Sequence, residues 1–262
     1  MKKILLSAVL VLAFAATSYA LPVKTAEYGT VEARNFSPAQ DQCYLEYYNF
    51  CGGWVWVWSG WTAGAMIGVC YDLNDCECPE ACALCDDLGV VYFALKRVTP
   101  YGNANFEVYC AYDNCCPCGG PIAGVYNMPL TSTWNGIDWT GVSLAACEGG
   151  ACDPCKFIYM ATINTPDHTQ VYSDGDDLNW DYGCGTDWNC TPHSFVYVDV
   201  YDYCVTFGAP AVLFMTDARS DCPPYQGYIG FFADWLCDAT IGCTGPSATE
   251  ESSWSEIKAL YR

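Results

Sequence analysis

Trp54-Val55-Trp56-Val57-Trp58 alternates two residue types at every step. A period of two puts successive side chains on opposite faces of an extended strand, so the three indoles share one face and the two valines the other. Aromatic and β-branched residues of this kind suit a pleated surface. Similar composition recurs at Gly89–Leu95, Phe106–Ala111, Lys156–Ile163, Phe195–Phe207 and Ala211–Thr216. Turn-forming stretches separate these segments, among them Pro100-Tyr-Gly-Asn103, Cys118-Gly-Gly-Pro121 and Ser173-Asp-Gly-Asp176. No part of this body sustains a helical period. The expected fold is all-β, a two-sheet antiparallel sandwich, rich in disulfides.

The start of the chain fixes the expected compartment. Lys2 and Lys3 precede an apolar run, Ile4–Ala16, which ends in Thr17-Ser-Tyr-Ala20. That is the layout of a secretory signal peptide, with cleavage expected after Ala20. The run is too short to span a bilayer comfortably, so membrane insertion is not expected. All twenty cysteines lie between Cys43 and Cys243. An even number of cysteines in an exported chain is read as disulfides, and the protein as secreted, extracellular or held at the cell surface.

Four segments follow from this: the signal at 1–20, an N-terminal arm at 21–42, a disulfide-rich domain at 43–245, and a linker with a short helix at 246–262. In the last, Ser253-Trp-Ser-Glu256 fits a capping box, and Trp254, Ile257, Leu260 and Tyr261 fall on one helical face. Such a helix either docks on the body or serves as a sorting or attachment signal.

Charge narrows the partners. Ten Lys and Arg face thirty Asp and Glu, a formal net charge of −20. Between Asn35 and Ser253 the basic residues are Lys96, Arg97, Lys156 and Arg219. Nucleic acid needs a basic footprint and is excluded as a partner. Neutral ligands or divalent cations suit an acidic surface.

Three segments are candidate binding sites. Trp54, Trp56 and Trp58, about 7 Å apart along a strand, form a row on which successive sugar rings can stack. The alternative is that these indoles are the hydrophobic core, and Trp61 belongs to either arrangement. A second face alternates Phe195, Tyr197, Asp199, Tyr201 and Tyr203 with Val196, Val198 and Val200. Here Tyr197 and Tyr201 flank the Asp199 carboxylate, which combines stacking with a hydrogen-bond acceptor; the alternative is a solvated face of cross-strand tyrosine pairs. Third, Asp174, Asp176, Asp177 and Asp181 concentrate hard oxygen ligands suited to Ca²⁺ within eight residues. That spacing lacks the EF-hand glycine, and a solvated acidic loop is the alternative. No other cofactor is expected.

The pairs Cys82/Cys85, Cys115/Cys118 and Cys152/Cys155, and Cys190-Thr-Pro-His193, have zinc-ligand spacing, but export favours disulfides over zinc. Catalytic motifs are missing from the sequence. There are two histidines, His168 and His193, and no nucleophile elbow, zinc-protease helix or phosphate loop. A glycosidase needs only two carboxylates suitably placed, and Glu107, between the apolar Phe106 and Val108, is the least ordinary acid in the chain.

The middle of the body carries a resemblance. Phe106-Glu-Val-Tyr-Cys-Ala-Tyr-Asp-Asn114 reads as a strand ending in an acidic turn, and Gly119-Gly-Pro-Ile122 as the turn and restart. Gly136–Leu144 and Lys156–Met160 follow as a later strand pair, then Thr165-Pro-Asp167. This succession, spanning Phe106 to Tyr203, resembles secreted bacterial β-sandwich modules with a jelly-roll, carbohydrate-binding-like architecture. The resemblance implies a two-sheet sandwich of the kind that accompanies extracellular polysaccharide-active or adhesive systems, and it carries over no binding residues. The expected function is non-enzymatic recognition of an extracellular glycan or surface component through an aromatic face. Two alternatives stand beside it: a structural surface or matrix protein that self-associates, and a carbohydrate-active hydrolase.

Overall fold

A long central strand organises the molecule. The computed structural model describes residues 25–31, 42–48, 54–76, 84–131, 133–147, 150–174, 193–197, 211–212 and 235–243. The strands, in chain order, are β1 (Thr25–Thr30), β2 (Gln42–Glu46), β3 (Trp54–Ser59), β4 (Ala65–Asp72), β5 (Cys85–Arg97), β6 (Asn103–Ala111) and β7 (Ala123–Pro129). They continue with β8 (Trp134–Ser143), β9 (Asp153–Ile163), β10 (Thr169–Asp174), β11 (Ser194–Tyr197), β12 (Ala211–Val212) and β13 (Cys237–Cys243). One sheet has the order β1-β3-β10-β5-β13-β2, with β8 also on β5; the other runs β12-β11-β4-β9-β6-β7. Every pairing is antiparallel. The two-sheet, all-β expectation holds. The N-terminal segment supplies β1, which pairs with β3 from Thr25↔Ser59 to Thr30↔Trp54.

The thirteen residues of β5 let it pair with three strands: β10 at Leu95–Arg97, β13 from Cys85 to Phe93, and β8 from Asp87 to Ala94. The register shifts around Gly89 on both sides. A Cβ at Gly89 would lie 2.6 Å from Thr240 Oγ1, so only glycine lets β13 approach. Thr240 then fills the gap in the ladder, accepting from the Val90 amide at 2.8 Å and donating to its carbonyl at 3.0 Å.

Alternation decides the core. Ile67, Val69, Phe106, Val108, Phe157, Tyr159, Val91, Phe93, Ile137 and Trp139 belong to one buried cluster drawn from both sheets. Full burial of such side chains contributes roughly 1.5–3 kcal/mol each. Parts of the outer faces are covered as well. Ile158, Met160, Tyr109 and Phe195 form a second cluster, and Val55, Ala94, Tyr172 and Leu236 a third. Burial on both faces is why Phe157–Ala161 reads as an unbroken apolar run.

Disulfides staple this arrangement: Cys43–Cys76, Cys70–Cys115, Cys85–Cys243, Cys110–Cys147 and Cys118–Cys152. Cys116 and Cys155 are disulfide-bonded too. The Cys-x-x-Cys pairs therefore do not act as zinc clamps, since Cys115 and Cys118 bond to different partners far along the chain. Cys237 carries a buried thiol in the core, beside Tyr71 and Tyr159. Among the described residues no helix is long and apolar enough to cross a membrane. The expected signal peptide and C-terminal helix lie outside the described residues.

Candidate functional site

On β6 the even positions Ala104, Phe106 and Val108 are fully buried, which turns Asn105, Glu107 and Tyr109 to the outer face of the second sheet. Glu107 stands opposite Met160 of β9 on one side and Gly124 of β7 on the other. Its carboxylate accepts two phenol hydrogen bonds, from Tyr109 at 3.0 Å and from Tyr126 at 3.0 Å. The two tyrosines differ. Tyr109 is buried in the apolar cluster with Ile158 and Met160, while Tyr126 is 57% exposed. The hydrogen bond to Glu107, and then its negative charge, push the Tyr126 phenol above its ordinary pKa, so Tyr126 remains a donor.

A bulge builds the rest of the face. Between Ala104↔Met128 and Phe106↔Val125, β7 carries one residue more than β6, so Tyr126 and Asn127 both stand opposite Asn105. Asn127 takes the left-handed conformation, φ 53°, which asparagine tolerates better than most residues. The Asn127 amide donates to Asn105 Oδ1 at 2.8 Å, and Asn164 Nδ2 donates to the same oxygen at 2.8 Å. Both bonds use the Asn105 carbonyl, which leaves its NH₂ as a donor; each Glu107 oxygen likewise keeps a lone pair. Acceptor and donor lie two residues apart on one strand face, about 7 Å, beside an exposed phenol ring.

A second polar cluster is structural. Lys156 Nζ lies 2.7 Å from Asp113, 3.7 Å from Asp72 and 3.7 Å from Asp153. Burial works against its charge, but the hydrogen bond and attraction of Asp113, with Asp72 and Asp153, hold its pKa above the ordinary lysine value. This cation ties the 112–115 turn to β4 and β9. Close by, His193 is buried, stacked on Tyr47 with ring centres 3.4 Å apart, its Nδ1 3.1 Å from the Cys70 carbonyl.

The sequence candidates are distributed differently from expectation. Trp58 is 6% exposed, lies in the sandwich core and donates its indole N–H to Ser173 Oγ at 2.9 Å. It is a core side chain and not part of a solvent-facing platform, because the second sheet covers that side of β3. Trp61, also buried, donates to the Trp58 carbonyl and packs against Trp235. Trp54 and Trp56 are placed as backbone of β3, Asp174 as the end of β10 and Tyr197 as the end of β11; their side chains are outside the described residues. Asp176, Asp177, Asp181, Asp199 and Tyr201 also lie outside them. Phe195 is 3% exposed and packs in the second cluster. Among the described residues no group of His, Cys, Asp and Glu is arranged to hold a metal ion. Of the acids weighed from sequence, Glu107 is at the centre of the face. Tyr126, Asn105, Asn127 and Asn164 carried no pattern of their own; Gly124 two residues before an exposed tyrosine was the one local signal.

Fold and face together define a disulfide-stapled antiparallel β-sandwich with a tyrosine, carboxylate and carboxamide surface on its outer sheet. No family model and no curated protein matches the chain. Among solved structures it is similar to the cysteine protease and lectin-like domains of Cwp84, a surface layer associated protein of Clostridium difficile, at 12% identity and a TM-score of 0.44. That match covers 79% of this chain and 37% of the other, so the chain spans well under half of the protein it resembles.

Proposed function

We propose that this chain is a secreted, non-enzymatic binding protein that recognises an extracellular glycan through the outer face of β6, β7 and β9. The observation that carries the reading is the Glu107 carboxylate, held between a buried and an exposed phenol with a carboxamide cluster two residues away. Sugar hydroxyls both donate and accept, so they match a carboxylate with spare lone pairs and an amide with spare hydrogens. An exposed tyrosine ring offers the apolar faces of a sugar a surface to stack on. A carbohydrate-active hydrolase is the alternative: it needs a second carboxylate several ångströms from the first, flanking the bond, and the cross-strand neighbours of Glu107 are Met160 and Gly124.

The experiment is binding of the purified chain to a broad polysaccharide panel, with Ca²⁺ and again with chelator, for the native protein, Glu107→Gln and Tyr126→Ala. Binding weakened about tenfold or more in either variant, with the melting temperature unchanged, supports the reading. Binding that both variants retain overturns the assignment of the site to this face, and binding to no glycan overturns the whole reading and favours the self-associating surface protein. Loss in chelator points to Ca²⁺ at Asp174, Asp176, Asp177 and Asp181; Trp54, Trp56, Tyr197, Tyr201 and the carboxylate Asp199 between those two tyrosines are the next substitutions if Glu107 proves indifferent.

A further inference from the structure

The polar face does not stop at Asn105. Asn164, which donates to Asn105, also gives its backbone amide to the Asn103 carbonyl at 3.4 Å. Asn103 in turn accepts from and donates to Thr165, and its side chain donates to the Tyr101 carbonyl at 3.1 Å. Hydrogen bonds thus lead without a break from the carboxamide cluster to the hairpin tip at 98–102. Tyr101 there is 73% exposed and leans over His168, ring centres 6.1 Å apart. From Glu107 to Asn103 is four strand residues, about 13 Å, before the turn is added.

Arg97 closes this end. A Cβ on Gly102 would stand 2.8 Å from Arg97 Cγ and 2.8 Å from the His168 carbonyl, so the arginine stem runs directly over Gly102, the residue after Tyr101, beside the His168 backbone. Lys96 alternates to the other side of β5. Arg97 is exposed, and among the described residues it makes no ion pair, whereas Lys156 has three carboxylate partners. In a chain of net charge −20 an exposed guanidinium that makes no ion pair among the described residues is out of pattern. Its planar fork of donors matches a carboxylate.

We propose that the glycan bound by this face carries a carboxylate that pairs with Arg97, with Tyr101 stacking on the acidic sugar and neutral sugars extending toward Asn105 and Glu107. The inference rests on the glycan reading above. The surrounding negative field repels polyanions. A mostly neutral oligosaccharide with one acidic sugar fits this site; a heavily sulfated chain does not.

The test is a glycan array bearing uronic-acid- and sialic-acid-terminated oligosaccharides, each printed also in carboxyl-reduced and sulfated form, probed with the native chain, Arg97→Gln and Glu107→Gln. The expected result is a preference of about 10- to 100-fold for an acidic form over its reduced counterpart. Arg97→Gln should erase that preference while leaving the melting temperature and the weaker binding of the reduced form intact. Equal binding of acid and reduced forms, a preference that survives Arg97→Gln, or stronger binding of the sulfated form overturns the carboxylate assignment. If Glu107→Gln still abolishes binding in those cases, the glycan reading survives alone. If no printed glycan binds, both fail together.

Discussion

The phenol of Tyr126 lies across Gly124. A Cβ at Gly124 would meet Tyr126 Oη at 2.7 Å and Cζ at 2.9 Å, so the missing side chain is what lets the ring fold back along β7 and reach Glu107. The bulge at Asn127 supplies the backbone twist and the absent methyl supplies the space.

Gly124→Ala should therefore displace Tyr126 and leave the fold standing. The obstructed atoms are the far end of an exposed side chain, so the stability change should stay within about 0.5 kcal/mol. The readout is the Tyr126 phenol itself, followed by NMR of labelled tyrosine. In the native protein the hydrogen bond and charge of Glu107 hold the Tyr126 phenol above its ordinary pKa, and in Gly124→Ala that phenol should return toward 10.0. An unmoved titration would mean that Tyr126 does not depend on Gly124 for its contact.

Lys156 should prove a structural clasp. Lys156→Met leaves Asp72 and Asp153, each with side chains 22% exposed, without their shared cation. The expected loss is about 1–2 kcal/mol, below that of a fully buried pair because Asp113 is open to water. Asp113→Asn should cost less than Lys156→Met in the same thermal melts. The reverse order would show that the 112–115 turn is held by Asp113 in some other way.

The bridge between Cys85 and Cys243 closes 158 residues, and that between Cys43 and Cys76 closes 33. In the chain-entropy picture their removal costs about 5 and about 4 kcal/mol, as upper figures for a chain with other cross-links. Paired Cys→Ala variants should rank in that order by denaturant unfolding. Non-reducing peptide mapping should recover all five linkages named above, and a protein of free thiols throughout would undo both the bridges and the compartment inferred from them.

Much of the sandwich was legible because alternation survives in β3 and β6. What alternation does not encode is which side the partner sheet will cover, and so Trp58 could be read as platform or core until the second sheet was in place. Strands buried on both faces hide from the pattern: Ala65–Asp72 contains a glycine, and Cys237–Cys243 buries Asp238 and Thr240 among apolar neighbours. In β7 the bulge breaks the period. Glu107 stood out as a charge between two core residues, but of its two phenol partners Tyr126 arrives only through strand pairing. Nothing local in Asn127 or Asn164 announces that they meet at Asn105.

Acid should weaken this protein before its carboxylates protonate. Burial, the largest influence, pushes His193 below the ordinary histidine value of 6.5, and the Cys70 carbonyl, Asp75 and Asp72 only partly offset it, while Lys156 adds to the depression. The folded state keeps the imidazole neutral against Tyr47; the unfolded chain protonates it near its ordinary value. Below 6.5 the unfolded state thus binds more protons, and stability falls with pH until the folded pKa is passed, at no more than about 1.4 kcal/mol per pH unit. Above 6.5 this contribution is fully present and flat. Asp113 and Asp138 have pKa values lowered below 3.8, so what they contribute is lost only in stronger acid. Urea unfolding of the native chain should show the decline on the acid side of 6.5, and His193→Gln should flatten it. A native protein with no slope there, or a variant that keeps the slope, would move the acid sensitivity to another group.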